Sequence, residues 1–251
     1  MKRLIIIASL FLIVSCKNSK NEEKVTVFAD ETVLVVNYQL ENMTLEQHAE
    51  LGSAVAPSFT SENVPGLLGK SFIGDLDRGV FGGVYYFSSH ESVETYLESD
   101  LWKGVVAHPN LVNFTTDVFK TFSGTELANG NHSMRKTSSD QADTTDLHVL
   151  VVNYTNEVNP TDIEMNKQVM EYAPVFSNEN FPGMIGKTMI NSIDRNIYGG
   201  VYYFTSRSAI DAYFASDLWT GFESDDNTNV YKKDIYSVAP ISTISNGVPV
   251  L

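Results

Sequence analysis

Two Asn-Tyr pairs, Asn37-Tyr38 and Asn153-Tyr154, and two Tyr-Tyr pairs, Tyr85-Tyr86 and Tyr202-Tyr203, interrupt runs that are otherwise apolar and β-branched. An amide or phenol carried into apolar surroundings needs a partner, and a bound ligand can be that partner. The chemistry such groups offer is orientation and charge stabilisation: an Asn amide can hold a developing oxyanion, and a Tyr hydroxyl can donate to it. Side chains alternate along a strand, so one tyrosine of each Tyr-Tyr pair faces opposite to the other. Asn37, Asn153, Tyr85 and Tyr202 are therefore the catalytic candidates, and Tyr38, Tyr86, Tyr154 and Tyr203 the candidate lining of a pocket. Trp102 and Trp219 either close that pocket or fill the core beneath a helix.

Other reactive residue types have less to offer. The histidines are His48, His90, His108, His132 and His148, and none has a histidine at the matching position of the internal repeat described below. A metal site built symmetrically from both copies is thus excluded, and no HExxH-like spacing occurs. Solvated or capping roles suit these residues, with His108 set apart because it follows the helix that borders the expected pocket. No metal and no cofactor is expected. Gly69-Lys70-Ser71 and Gly186-Lys187-Thr188 mimic the end of a phosphate-binding loop, but Val64 and Phe181 stand where the upstream glycine belongs and the segments read as strand. Asp77-Arg78 and Asp194-Arg195 read as hairpin turns with a local surface ion pair, worth under about 1 kcal/mol.

All of these residues belong to a duplication. Leu34–Tyr38 returns as Leu150–Tyr154, Pro65–Lys70 as Pro182–Lys187, Gly82–Phe87 as Gly199–Phe204, and Ser99–Trp102 as Ser216–Trp219. The offset is 116 before Pro57 and 117 after it, which requires one inserted residue, expected in the first helix region. Within each unit the pattern is strand, helix, strand, strand, helix, strand. Strands are expected at Thr32–Tyr38, Leu67–Ile73, Gly82–Phe87 and Thr115–Thr121, with Met184–Ile190 and Tyr231–Val238 among their repeats. Thr44 with Gln47, and Thr161 with Glu164, have the spacing of capping boxes, and Ser88-Ser89-His90-Glu91 opens a further helix. This order is the ferredoxin-like unit. Two helices cover one face of a four-stranded sheet, so the other face must find an apolar partner, and the second copy supplies it. The expected fold class is α+β: two ferredoxin-like βαββαβ repeats paired sheet to sheet as an intramolecular dimeric α/β barrel.

The run Gly83–Trp102, with its glycine pair, aromatic strand and late Tyr96-Leu97, resembles the third strand and following helix of dimeric α/β-barrel proteins, and most closely the YdhR-type monooxygenases of the antibiotic-biosynthesis-monooxygenase-like group. The resemblance implies a cofactor-independent monooxygenase acting on a small aromatic or hydrophobic molecule in the barrel pocket. The alternative is a non-catalytic, lipid-anchored ligand-binding or scaffold protein that kept the barrel. Haem-degrading relatives also carry an Asn on the first strand, matching Asn37 and Asn153. Their Trp and His positions fall here on Phe87 and Phe204, and on Val106 and Glu223, so no axial iron ligand is expected.

The N-terminus carries Lys2 and Arg3, then an apolar run from Leu4 to Val14, an export signal too short to span a membrane. Ile13-Val14-Ser15-Cys16 resembles the lipobox of bacterial lipoproteins, which implies lipidation of Cys16, the only cysteine in the chain. Lys17 rather than Asp follows it, which points to the outer membrane. The expected organisation is a signal peptide over 1–15, a tether over 16–31, repeat 1 over 32–122, a linker over 123–146, repeat 2 over 147–239 and a tail over 240–251. A formal net charge of −14 repels phosphate backbones and anionic headgroups, so nucleic acid is not an expected partner and membrane contact is expected through the lipid alone.

Overall fold

The computed structural model describes residues 26–125, 146–193 and 195–242. Cys16, the leader, most of the expected tether and linker, His132, Asp194 and the end of the tail lie outside them. The first repeat comprises β1 (Phe28–Leu40), α1 (Leu45–Val55), β2 (Leu67–Asp75), β3 (Val80–Phe87), α2 (His90–Glu98), α3 (Asp100–Val106) and β4 (Leu111–Phe122). The second comprises β5 (His148–Asn156), α4 (Asp162–Tyr172), β6 (Met184–Ser192), β7 (Tyr198–Phe204), α5 (Arg207–Phe214), α6 (Asp217–Glu223) and β8 (Thr228–Val238). Both capping boxes form: Thr44 with Gln47 opens α1, and Thr161 with Glu164 opens α4.

All strand pairs are antiparallel and the sheet closes on itself in the order β1-β3-β2-β8-β5-β7-β6-β4. The seams between repeats are short. Ile73 and Gly74 of β2 pair with Val238 and Ser237 of β8, while Phe119, Lys120 and Thr121 of β4 pair with Ser192, Asn191 and Ile190 of β6. Inside, Val33, Val35, Val84, Tyr86 and Phe119 of the first repeat meet Val149, Val151, Ile190, Val201 and Tyr203 of the second in one core. This is the expected intramolecular pseudo-dimer, and burying the two apolar faces drives its closure.

Several local expectations are corrected. The inserted residue sits in the turn between strand and helix, not in the helix: the backbone N–H groups of Glu41 and Glu157 donate to the equivalent carbonyls of Asn110 and Asn227, and Asn42 and Asn159 both have positive φ, which leaves Val158 as the extra residue. β1 begins at Phe28, inside the expected tether. At the other end, Thr125 Oγ1 accepts from the backbone of Met189, and Ser242 Oγ from that of Phe72, so the segments after β4 and β8 each clasp the opposite repeat.

The Asp-Arg turns also differ from expectation. Arg78 does not pair with Asp77; its guanidinium bonds Asp75 and reaches across the seam to Asp234. The pseudo-symmetric Arg195 reaches back to Asp117 at 2.9 Å. Lys232 lies between the two acceptors, 3.4 Å from Asp117 and 3.5 Å from Asp234. Asp75 and Ser192 shape the turns that aim these arginines, each accepting backbone N–H groups.

Candidate functional site

Strand alternation decides which tyrosines can meet a ligand. On β7, Val201 and Tyr203 point into the barrel, and Tyr202 and Phe204 point toward the helices; β3 repeats this with Val84 and Tyr86 against Tyr85 and Phe87. The barrel-facing tyrosines were expected to line a pocket. They instead complete a packed core, and their hydroxyls are used internally: Tyr203 pairs with Ser71 at 2.9 Å and Tyr86 accepts from Thr188 at 3.5 Å. Polar atoms that satisfy one another there fix register between the repeats.

A cavity of about 480 Å³ opens on the other side of the sheet, between the second repeat's strands and its helices. Tyr154, Lys187, Met189 and Tyr202 form its floor; Met165 and Val169 of α4 and Leu218 and Phe222 of α6 form its walls. Phe122 of the first repeat closes one end, its ring tilted against Phe28 at 4.8 Å between centroids. Asp217 and Asp225 stand exposed at the rim.

Lys187 is the one cation on the floor of this space. It faces the helices because Thr188 and Ile190, its neighbours in alternation, face the barrel. Its Nζ lies 3.5 Å from the centroid of Phe176 and 4.5 Å from that of Tyr202. Among the described residues it makes no hydrogen bond or ion pair. It is partly exposed and lines the cavity. Burial pushes its amine well below the ordinary lysine range, with ring faces as the compensation for an ammonium there. Burial also raises the phenols around it: Tyr202 well above its usual value, reinforced by neighbouring Tyr213, Tyr154 upward, and Tyr213 to about 12. The phenols stay protonated and can donate.

The first repeat treats the same space differently. Lys70 occupies the position of Lys187, but its Nζ is clamped 3.1 Å from the ring centroid of Phe59 and 3.7 Å from that of Phe72, and the residue is 3% exposed. Phe72 stands where the second repeat has Met189. His48 stands where it has Met165, with Nε2 2.8 Å from the Tyr38 hydroxyl and its ring 4.6 Å from Phe81. Aromatic rings thus take up room that two methionines leave open.

The remaining candidates divide accordingly. Tyr154 and Tyr202 line the cavity; Tyr38 and Tyr85 occupy the packed counterpart. Asn37 and Asn153 share strand parity with the barrel-facing valines, and Asn153 is not part of the cavity wall. The Oδ1 atoms of both are buried without a hydrogen-bond partner. Trp102 and Trp219 fill the core under the helices, Trp219 donating from Nε1 to Glu223 at 3.1 Å. Among the described residues no three His, Cys, Asp or Glu side chains gather closely enough to hold a metal ion. Lys187 enters from the sequence only as the end of a loop that lacks its upstream glycine; its recurrence as Lys70 at a helix-facing position of an apolar strand is the signal for its place in the cavity.

Residues 33–131, which span the first repeat, match the family described as putative mono-oxygenase ydhR. Comparison with curated proteins found no match. Among solved structures, the fold is similar to a putative monooxygenase from Fusobacterium nucleatum, with TM-score 0.57, 10% identity, and 84% of this chain and 92% of that one covered. It is also similar to a putative monooxygenase from Lactobacillus acidophilus, with TM-score 0.52, 11% identity, and 84% and 93% covered. A chlorite dismutase from Candidatus Nitrospira defluvii aligns with TM-score 0.51, 10% identity, and 85% and 92% covered. Coverage of this extent includes both repeats, and identities this low establish likeness of fold.

Proposed function

We propose that this chain is a cofactor-independent, monooxygenase-like lipoprotein, anchored through Cys16 in the bacterial outer membrane, whose second repeat binds and oxygenates a small, electron-rich aromatic molecule. The observation that carries the reading is the helix-side cavity, because it combines room for one or two fused rings with aromatic walls, protonated phenols and one unpaired amine. Lys187 takes a proton from a ring hydroxyl, and Tyr202 and Tyr213 hold the resulting oxyanion by hydrogen bonds. A dihydroxynaphthalene so activated reduces dioxygen itself: one oxygen atom enters the ring, two hydrogens leave with the other as water, and a hydroxyquinone results. No external reductant is required.

Oxygen uptake with a panel of dihydroxynaphthalenes tests the reading. Uptake that requires Lys187 supports it; a flat electrode trace across the panel sinks turnover. Retention of a hydrophobic molecule in native mass spectrometry, with no oxygen uptake, would instead identify a carrier. Replacement of Cys16 by Ser, followed by mass analysis of membrane extracts, tests the anchor.

A further inference from the structure

The enclosed amine of Lys187 has a second chemical capacity, and its rim decides for which ligand. An unpaired buried cation would ordinarily suggest an anionic ligand. Here Asp217 and Asp225 guard the opening and the chain carries a formal net charge of −14, so an incoming carboxylate or phosphate is repelled where a neutral molecule is not. The interior favours the same class: apolar walls, protonated phenols and no second charge on the floor beside the amine.

We propose that Lys187 is a nucleophilic lysine that captures small aromatic aldehydes or ketones as an imine in the second-repeat cavity. The Nζ lone pair attacks the carbonyl carbon to give a carbinolamine, and the C–N bond forms. The carbonyl oxygen then leaves as water with the two hydrogens originally on nitrogen, so the step is redox-neutral and needs no co-reactant. Tyr154, Tyr202 and Tyr213 supply protonated hydroxyls around the departing oxygen. Burial among apolar rings shifts the Lys187 amine toward its neutral, nucleophilic form relative to an exposed lysine, and the cavity beside it leaves room for a carbonyl compound. Lys70 is the built-in control: it has the same strand position, but it is almost fully buried and Phe59 and Phe72 clamp it.

The proposal rests on the cavity being the ligand site, and the test separates the two. Full-length protein is incubated near neutral pH with 1-naphthaldehyde and sodium cyanoborohydride, and the reduced adducts are located by peptide mass mapping. Lys187 is expected to label at least ~10-fold faster than exposed Lys103, with Lys70 unlabelled. 1-Naphthalenemethanol, the same shape without the carbonyl, is expected to compete. The map is made on the unsubstituted chain, so no variant has to fold; Lys187→Met, where it folds, loses the fast adduct. Labelling spread evenly over surface lysines overturns the proposal. If the alcohol still binds in that case, by thermal shift, the cavity reading survives and imine chemistry alone falls. If neither probe binds, both fall.

Discussion

Arg78 of the first repeat pairs with Asp234 of the second, 156 positions away, and Arg195 returns the gesture to Asp117. With Lys232 between the two carboxylates, the bonds form one network over the seams. Both arginines are about half exposed, so each bridge contributes roughly 0.5–1 kcal/mol. Arg78→Glu should cost about that or slightly more in urea denaturation, through repulsion from Asp75 and Asp234. Adding Asp234→Arg should recover part of the loss. Equal losses in the single and double variants would mean that the charges do not interact.

Met189→Phe copies into the second repeat the residue that crowds the first. The added ring should occupy the cavity beside Lys187, raising stability by about 0.5–2 kcal/mol, as cavity filling commonly does. Ligand binding and any oxygen uptake should disappear together. Retained binding would place the ligand elsewhere.

Stability should climb as pH rises from the lowered folded-state values of the buried lysines toward about pH 10. Burial lowers Lys70 and Lys187 in the folded chain, so between their folded and unfolded values the unfolded chain binds more protons, and raising pH favours folding. Tyr85 and Tyr202 act in the opposite sense: burial raises them, so stability falls once unfolded tyrosines ionise, above about pH 10. Lys187→Met should be more stable than the parent at neutral pH, with the gap narrowing as pH rises toward 10 in thermal melts. A gap independent of pH would rule out the titration of this amine as its source.

Gly199→Ala should unfold the second repeat's sheet. A Cβ at that position would sit 2.0 Å from the Val152 carbonyl oxygen, and at Gly82 it would sit 1.8 Å from that of Val36. Backbone in the middle of a paired strand has no room to retreat, so each substitution should cost on the order of 3 kcal/mol or more. A midpoint within error of the parent would contradict the strand spacing described above.

Much of the architecture could be read from residue order alone. Val84 and Tyr86 part from Tyr85 and Phe87 as alternation demands, and Thr44 and Thr161 cap their helices at the expected spacing. The side of the sheet that holds the cavity could not be read this way. It depends on what fills the space between helices and strands: Met165 and Met189 line the cavity in one copy, where the other has His48 and Phe72 at the matching positions. Pattern counts all four as core-compatible. The partners of Arg78 were equally hidden, because a turn sequence is local and Asp234 arrives only when the barrel closes. For Lys187 the resemblance of Gly186-Lys187-Thr188 to a phosphate loop carries no information, whereas its helix-facing place on β6 does.

Both halves of the barrel belong to one polypeptide, and that has an evolutionary consequence. In a complex of identical subunits every substitution appears on both sides of the axis, so a residue that seals one cavity seals its twin. Here Phe72 can close one side while Met189 keeps the other hollow, leaving one copy free to specialise as a rigid buttress and the other to diversify toward ligands.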